Sequence, residues 1–183
     1  MTKIFKAVTF VFLVLLLLYV LPPSPEFPLP PSDSLQSKEM ADTETPLRRA
    51  YFTNLTREEV MQYYVGQFNK LTVLNVNIPT YRLNYPPEES QTLIRDQTKS
   101  TYLEEIVHPL RESILINGFE PTKPQDAINI EARAWRQKII VKYVPSSILV
   151  RAVIVIFSGV FVSILFKEWS VFFKGVTDRR EKI

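Results

Sequence analysis

A chain of 183 residues with a net charge of +3 and a pI near 9.1 has room for one folded domain besides any membrane segments. It contains no cysteine, which excludes disulfides, thiolate zinc sites, iron–sulfur clusters and a lipoprotein anchor. The surplus basic residues lie towards the two ends of the chain and the middle is close to neutral, so a nucleic-acid partner is not expected.

The first predicted element is an apolar helix over residues 4–21, with Lys3 just before it and Lys6 in its first turn. Such a segment is either a cleavable signal peptide or a retained anchor. The residues after it are Pro22 and Pro23, and no small-residue cleavage pattern occurs, so we interpret it as a transmembrane signal anchor. The positive-inside rule then puts residues 1–3 in the cytoplasm.

Residues 22–46 contain half of the 14 prolines and no glycine. Closely spaced prolines favour polyproline II, which predicts a stiff extracytoplasmic spacer. The alternative is a docking site for a proline-binding partner. That alternative is less favoured because no aromatic-flanked PxxP repeat is present.

Residues 47–144 are predicted to form an extracytoplasmic α+β domain, with two or three helices on a small sheet. Its first helix starts at a capping box, Thr56 to Glu59. The apolar stripe that follows has helical spacing and marks the core-facing side. Its members are Val60, Met61, Tyr64, Phe68 and Leu71.

Further elements of this domain follow from local patterns. One or two strands are expected in residues 72–85, and a short helix is expected from Pro86 to Ile94. A second capping box, Thr101 to Glu104, predicts a helix that is kinked at Pro109 and ends at Asn117-Gly118. The stripe assigned to that helix is Leu103, Ile106, Val107, Leu110 and Ile114. Alternation over Ile128–Ala134 and the run Gln137–Tyr143 predict strands.

Residues 148–166 form the longest apolar run, with Arg151 as the single charge. About 20 apolar residues match the roughly 30 Å hydrocarbon core of a bilayer, so this is a predicted second transmembrane helix. Arg151 is expected to reach the outer headgroups rather than line a pore. Gly159 and Ser163 share one face and predict close helix packing, against the first span or against another copy of the chain.

The remaining residues, 167–183, form a basic cytoplasmic juxtamembrane tail. Lys167 and Trp169 at its start are predicted interface anchors, because lysine reaches lipid phosphates and tryptophan prefers the headgroup level.

Only one pattern resembles a chemical site. Glu105-x-x-His108 has the spacing of a half-site in di-iron bundles, but that chemistry needs a second such pair and the chain has one histidine. With four glycines there is no nucleophile elbow or phosphate loop. We therefore predict no catalytic, cofactor or metal residues. Asn54-Leu55-Thr56 fits a glycosylation sequon, but Thr56 is better explained as a helix cap.

The expected protein is a non-enzymatic membrane protein with both termini in the cytoplasm. Two spans carry an extracytoplasmic domain for interaction, scaffolding or regulation, and the absence of cysteine favours a bacterial cell envelope. Expected partners are the lipid bilayer, other envelope proteins and a second copy bound through the second span. The alternative is an accessory subunit of a transport or secretion complex. An extracytoplasmic enzyme is the third possibility.

Overall fold

The structure is a computed structural model that describes residues 3–69, 79–93 and 99–180. The chain divides into two compact units. The first, the helical unit, comprises Met1–Pro23 and Ser146–Ile183. The second, the sheet unit, comprises Ser24–Pro145.

The helical unit consists of α1 (Lys3–Val20) and α4 (Ile148–Arg180). The two helices are antiparallel neighbours, since Phe5 contacts Phe166 at one end while Leu13 lies against Gly159 further along. Within the described residues one stretch, Ile148–Phe173, is long and apolar enough to cross a membrane, with a mean hydropathy of 2.6 over its most apolar part. The apolar part of α1, Ile4–Val20, is shorter, so the predicted arrangement of two spans is not confirmed.

Within its described residues, the sheet unit is built on one antiparallel sheet of six strands, in the order β1–β2–β8–β5–β4–β3. Its strands are β1 (Leu35–Gln36), β2 (Arg48–Thr53), β3 (Tyr81–Tyr85), β4 (Tyr102–Val107), β5 (Ser113–Phe119) and β8 (Gln137–Val144). A separate hairpin pairs β6 (Ile128–Ile130) with β7 (Arg133–Trp135). The predicted α+β class is confirmed.

The main helix of the sheet unit is α2 (Arg57–Phe68). Its capping box forms as predicted, because the Thr56 hydroxyl accepts from the Glu59 amide and the Glu59 carboxylate accepts from the Thr56 amide. The predicted stripe is buried from Val60 to Phe68, while Leu71 lies outside the described residues. The short helix predicted after Pro86 is a 3₁₀ turn (Pro87–Glu89) followed by α3 (Ser90–Leu93); Ile94 is also outside the described residues.

Apolar side chains pack on both faces of the sheet, and the cluster on one face is larger than the cluster on the other. On one face α2 and the sheet form the larger cluster, which includes Tyr64, Phe68, Ile106, Ile114 and Val141. On the other face a smaller cluster joins Ala50, Leu103, Leu115 and Ile140, with Tyr85 and Leu93 packed against it. Neighbouring residues along a strand point to opposite faces, so each inner strand contributes to both clusters.

The predicted kinked helix after Thr101 is wrong. This stretch is β4, a tight turn and β5. Both faces of these strands are covered, so apolar side chains occur on both faces and the period of two that identifies a strand is hidden. Leu103, Ile106 and Leu110 then matched a helical spacing by coincidence. Pro109 starts the turn instead of kinking a helix, and Asn117 and Gly118 lie inside β5.

The proline-rich segment also differs from the prediction. Instead of standing apart as a spacer, the segment packs on the sheet unit and belongs to it from Ser24 onward. The Phe27 ring meets Tyr143 edge-on, the Tyr63 hydroxyl donates to the Pro30 carbonyl at 2.6 Å, and Arg133 holds Asp33 with two bonds. The folded unit therefore starts at Ser24 and not at Leu47.

These contacts predict that a fragment of residues 24–145 unfolds cooperatively and is more stable than one of residues 47–144. The shorter fragment loses β1, the Phe27 ring and the Asp33–Arg133 ion pair, and the partly buried Phe27 ring alone contributes about 1 kcal/mol or more. Chemical denaturation followed by circular dichroism measures the difference. Equal midpoints and equal slopes for the two fragments would contradict the assignment of residues 24–46 to the folded unit.

Candidate functional site

The first and the last residues of the sheet unit lie close together. Its first residue, Ser24, donates a hydrogen bond from its hydroxyl to the Glu112 carboxylate at 2.7 Å. Ser113, the next residue, is opposite Val144 at the end of β8. The Tyr143 hydroxyl also donates to the Pro25 carbonyl at 2.9 Å. The two ends of the unit, which continue towards α1 and α4, are thus tied to each other.

The β4–β5 turn positions the carboxylate at this place. The turn runs from His108 to Arg111, whose amide donates to the His108 carbonyl at 3.0 Å. Pro109 occupies the second position, and Leu110 has a φ of 61° at the third. This is the pattern of a type II turn, in which the third residue needs a positive φ and usually is glycine. The turn brings His108 and Glu112 side by side.

Glu112 is at the centre of a buried polar cluster, called here the Glu112 cluster: Ser24, His108, Arg111 and Glu112. The His108 Nδ1 atom lies 3.0 Å from Glu112 Oε1, and Arg111 Nε donates to the same oxygen at 3.1 Å. The imidazole is fully buried and stacks on the Phe68 ring, with the ring centroids 4.0 Å apart. Within the described part of the chain, His108 Nε2 has no hydrogen-bond partner.

The Glu112 carboxylate is stabilised in its charged form. Burial raises the pKa of Glu112, but the bonds from His108 and Ser24 and the charge of Arg111 outweigh burial and hold this pKa at about 2. A buried carboxylate with these partners is ionised at neutral pH. It therefore accepts hydrogen bonds from the Ser24 hydroxyl and the Arg111 guanidinium.

The order of groups in the Glu112 cluster differs from that of an activated serine. In a serine triad the imidazole lies between the hydroxyl and the carboxylate, so that it accepts the hydroxyl proton. Here the carboxylate lies between them, and the Ser24 hydroxyl donates to Glu112. The geometry suits a structural connection between Ser24 and the turn. No group of three or more metal-binding side chains is found among the described residues.

No protein-family model matches this chain, and neither a curated protein nor a solved structure is significantly similar to it.

The half-site pattern Glu105-x-x-His108 is not assembled. The two residues belong to a strand and the turn after it, where side chains three positions apart point to opposite faces. Glu105 accepts hydrogen bonds from Tyr85 and Ser113 on one face, while His108 stacks on Phe68 on the other. No sequence signal identified Glu112 or Ser24, because 88 residues separate them and no local pattern relates them.

A second buried carboxylate, Glu104, lies on the face that α2 covers. Arg57 Nε donates to it at 2.5 Å and Arg82 donates with two nitrogens, one of them at 2.7 Å. Burial raises the pKa of Glu104, but the bonds from the two arginines lower it by more. The pairing connects α2, β3 and β4. We interpret it as structural.

Gly159 and Ser163, the residues predicted for helix packing, both lie on α4 in the helical unit. A Cβ atom added to Gly159 would approach a Leu13 methyl group to 2.7 Å, so the Leu13 side chain would have to shift to make room for it. The Ser163 hydroxyl donates to the Gly159 carbonyl of its own helix at 2.8 Å. Both residues line an open groove between α1 and α4, together with Lys167.

The residues predicted as interface anchors differ in exposure. Arg151 is buried and donates from Nη2 to the Pro22 carbonyl at 3.3 Å, so it connects α4 to the end of α1 instead of extending outward as expected. Trp169 is 65% exposed, and its ring is edge-on to Phe173. Its interfacial role stays a prediction. Asn54, the sequon residue, accepts from the Arg136 amide at 2.9 Å.

The Glu112 cluster predicts an acid-sensitive stability. Because the folded-state pKa is about 2 and the ordinary value is 4.5, the carboxylate stabilises the fold fully above about pH 4.5 and this contribution is lost as pH falls towards 2. The loss is on the order of 2–3 kcal/mol for this group. Glu112→Gln should lower the free energy of unfolding at pH 7 and reduce its fall between pH 4.5 and 2.

Urea unfolding at several pH values measures this dependence. Glu131→Gln serves as the matched control, since that carboxylate is 60% exposed and its removal should change the free energy of unfolding by less than about 0.5 kcal/mol. If Glu112→Gln and Glu131→Gln gave the same pH profile, the Glu112 cluster would not carry the effect.

Proposed function

We propose that this chain is a two-span membrane protein whose sheet unit lies outside the cytoplasm and binds other proteins of the cell envelope, as a scaffold or regulator. In this proposal α1 and α4 cross the membrane as an antiparallel pair, and both termini are cytoplasmic. The activity is binding, and no chemical reaction is assigned.

The proposal is supported by hydrogen bonds that join the two ends of the sheet unit and the two helices of the helical unit. In the sheet unit the two ends are tied through Ser24, Glu112 and Tyr143. In the helical unit the end of α1 is tied to the start of α4 by the bond from Arg151 to Pro22. This closure suits a domain carried by two adjacent spans, because it brings the two ends of the domain to one place.

Helix length and charge support the same arrangement. The 18 residues of α1 correspond to about 27 Å, close to the roughly 30 Å of a hydrocarbon core. Lys6 lies near the start of α1 and Lys167 in the second half of α4, which is the same end of an antiparallel pair. By the positive-inside rule this end faces the cytoplasm.

The second candidate is an accessory subunit of a transport or secretion complex. The observation that favours it is the large exposed apolar surface of α4, which includes Leu149, Phe157, Phe161 and Phe172. A multispan partner could cover this surface. Purification in a mild detergent distinguishes the candidates, because a stoichiometric multispan protein should then remain bound.

Reporter fusions test the topology. A reporter that is active only in the cytoplasm should work when fused at Met1 or at Ile183 and should be inactive when inserted in the exposed loop after Thr122. The chain should stay with the membrane fraction in alkaline carbonate. An active reporter after Thr122, or a mature chain that begins near Pro22, would contradict the two-span proposal.

Insertions test whether the connection to α4 has to be stiff. Only Pro145, Ser146 and Ser147 separate β8 from α4, and proline restricts both itself and the residue before it. Gly-Gly-Ser-Gly inserted after Pro145 should leave folding and membrane insertion intact, because a longer loop costs less than about 1 kcal/mol. Partner binding, measured by co-purification, should nevertheless fall.

The matched control is the same insertion after Thr122, in an exposed loop of the sheet unit. It should leave partner recovery unchanged. Equal recovery with the two insertions would indicate that the domain is only tethered, and the stiff connection would be abandoned.

A further inference from the structure

The groove between α1 and α4 has the form of a lipid site. It has a volume of about 560 Å³, within the range of about 300–1,000 Å³ that is usual for ligand pockets. Its walls are apolar side chains of both helices, such as Phe10, Leu17, Val155 and Ile164, and it reaches Lys167 at one end.

Charge distinguishes the two ends of the groove. Among the described residues, Lys167 is the only charged one in the lining, and the rings of Phe5 and Phe166 bring the neighbouring residues Lys6 and Lys167 to the same end of the pair. Neither lysine has a carboxylate partner within the described residues. Glu168, the next residue on α4, is not part of the lining. The groove is thus apolar along its length and cationic at one end.

The length of the groove identifies its occupant. From Val155 to Lys167 the lining extends over twelve residue steps of α4, or about 18 Å. One leaflet of a bilayer has a hydrocarbon depth of about 15 Å, half of the total. A third transmembrane helix would need a groove along the full thickness, and it would gain nothing from a single cation at the end.

We infer that the groove binds one anionic phospholipid of the cytoplasmic leaflet, with an acyl chain between α1 and α4 and the headgroup phosphate at Lys167. The inference rests on the proposed two-span arrangement. Basic residues at the cytoplasmic end of an intramembrane pocket are the usual means by which membrane proteins hold such headgroups. The bound chain would complete the packing of α1 against α4 where their side chains leave the groove open.

Native mass spectrometry of the full chain in a mild detergent tests the inference. The probes are phosphatidylglycerol and phosphatidylcholine with the same acyl chains, and the measured quantity is the ratio of chains that retain each lipid. One phosphatidylglycerol per chain should be retained in preference. Lys167→Gln should lower the ratio about fivefold, the fold-change for about 1 kcal/mol per lysine near an anionic surface, and leave phosphatidylcholine retention unchanged.

A matched pair of substitutions tests the groove itself. Ser163→Phe fills the groove and should abolish retention of phosphatidylglycerol, whereas Val162→Phe adds the same ring one residue away, outside the lining, and should preserve it. Because the chain has no cysteine, Leu13→Cys with Gly159→Cys reports whether the helices still touch. This pair should crosslink with or without Ser163→Phe.

Three results would overturn the inference. These are equal retention of the two lipids by the unchanged chain, equal retention after Ser163→Phe and Val162→Phe, and a dimer without lipid that Ser163→Phe dissociates. The last result would assign the groove to a second copy of the chain. A chain that stays in the membrane but shows any of these three refutes the lipid site alone. A chain recovered in the soluble fraction refutes the proposed function as well.

Discussion

The organisation of this protein depends on the position of β8 inside the sheet. β8 pairs with β2 on one side and with β5 on the other, so its backbone is held along almost its whole length. Three residues separate its end from the start of α4. An inner strand cannot shift without breaking two ladders, and a one-residue slip would exchange its two faces. The start of α4 is therefore attached to the most constrained strand of the sheet unit.

Two buried carboxylates add specificity to this framework. Glu104 has Arg57 and Arg82, and Glu112 has His108, Arg111 and Ser24. A buried ion pair gains little net stability over apolar residues of the same shape, because desolvation offsets the attraction. Leaving such a carboxylate without its partners is costly, however, so alternative packings are penalised. The two clusters thus select one docking of α2 and one path for the chain after Pro23.

Short sequence patterns predicted the elements whose formation depends mainly on residues close together in the chain. The Thr56 cap predicted α2, a run of β-branched residues predicted β8, and nineteen apolar residues predicted the apolar part of α4. The β4–β5 hairpin was missed because the burial of both its faces removed the alternation that identifies strands. Docking of the proline-rich segment and the bond from Ser24 to Glu112 depend on contacts between distant residues, about which local patterns contain no information.

The helices α1 and α4 differ in length. The 33 residues of α4 correspond to about 50 Å, well above a hydrocarbon core of about 30 Å, whereas α1 corresponds to about 27 Å. Since Phe5 of α1 meets Phe166 of α4, the excess of α4 lies beyond Phe166. The exposed Trp169, Phe172 and Phe173 begin this extension. In the proposed orientation they follow Lys167 at the cytoplasmic interface, where aromatic rings are most stable, so the excess length needs no tilt of the pair.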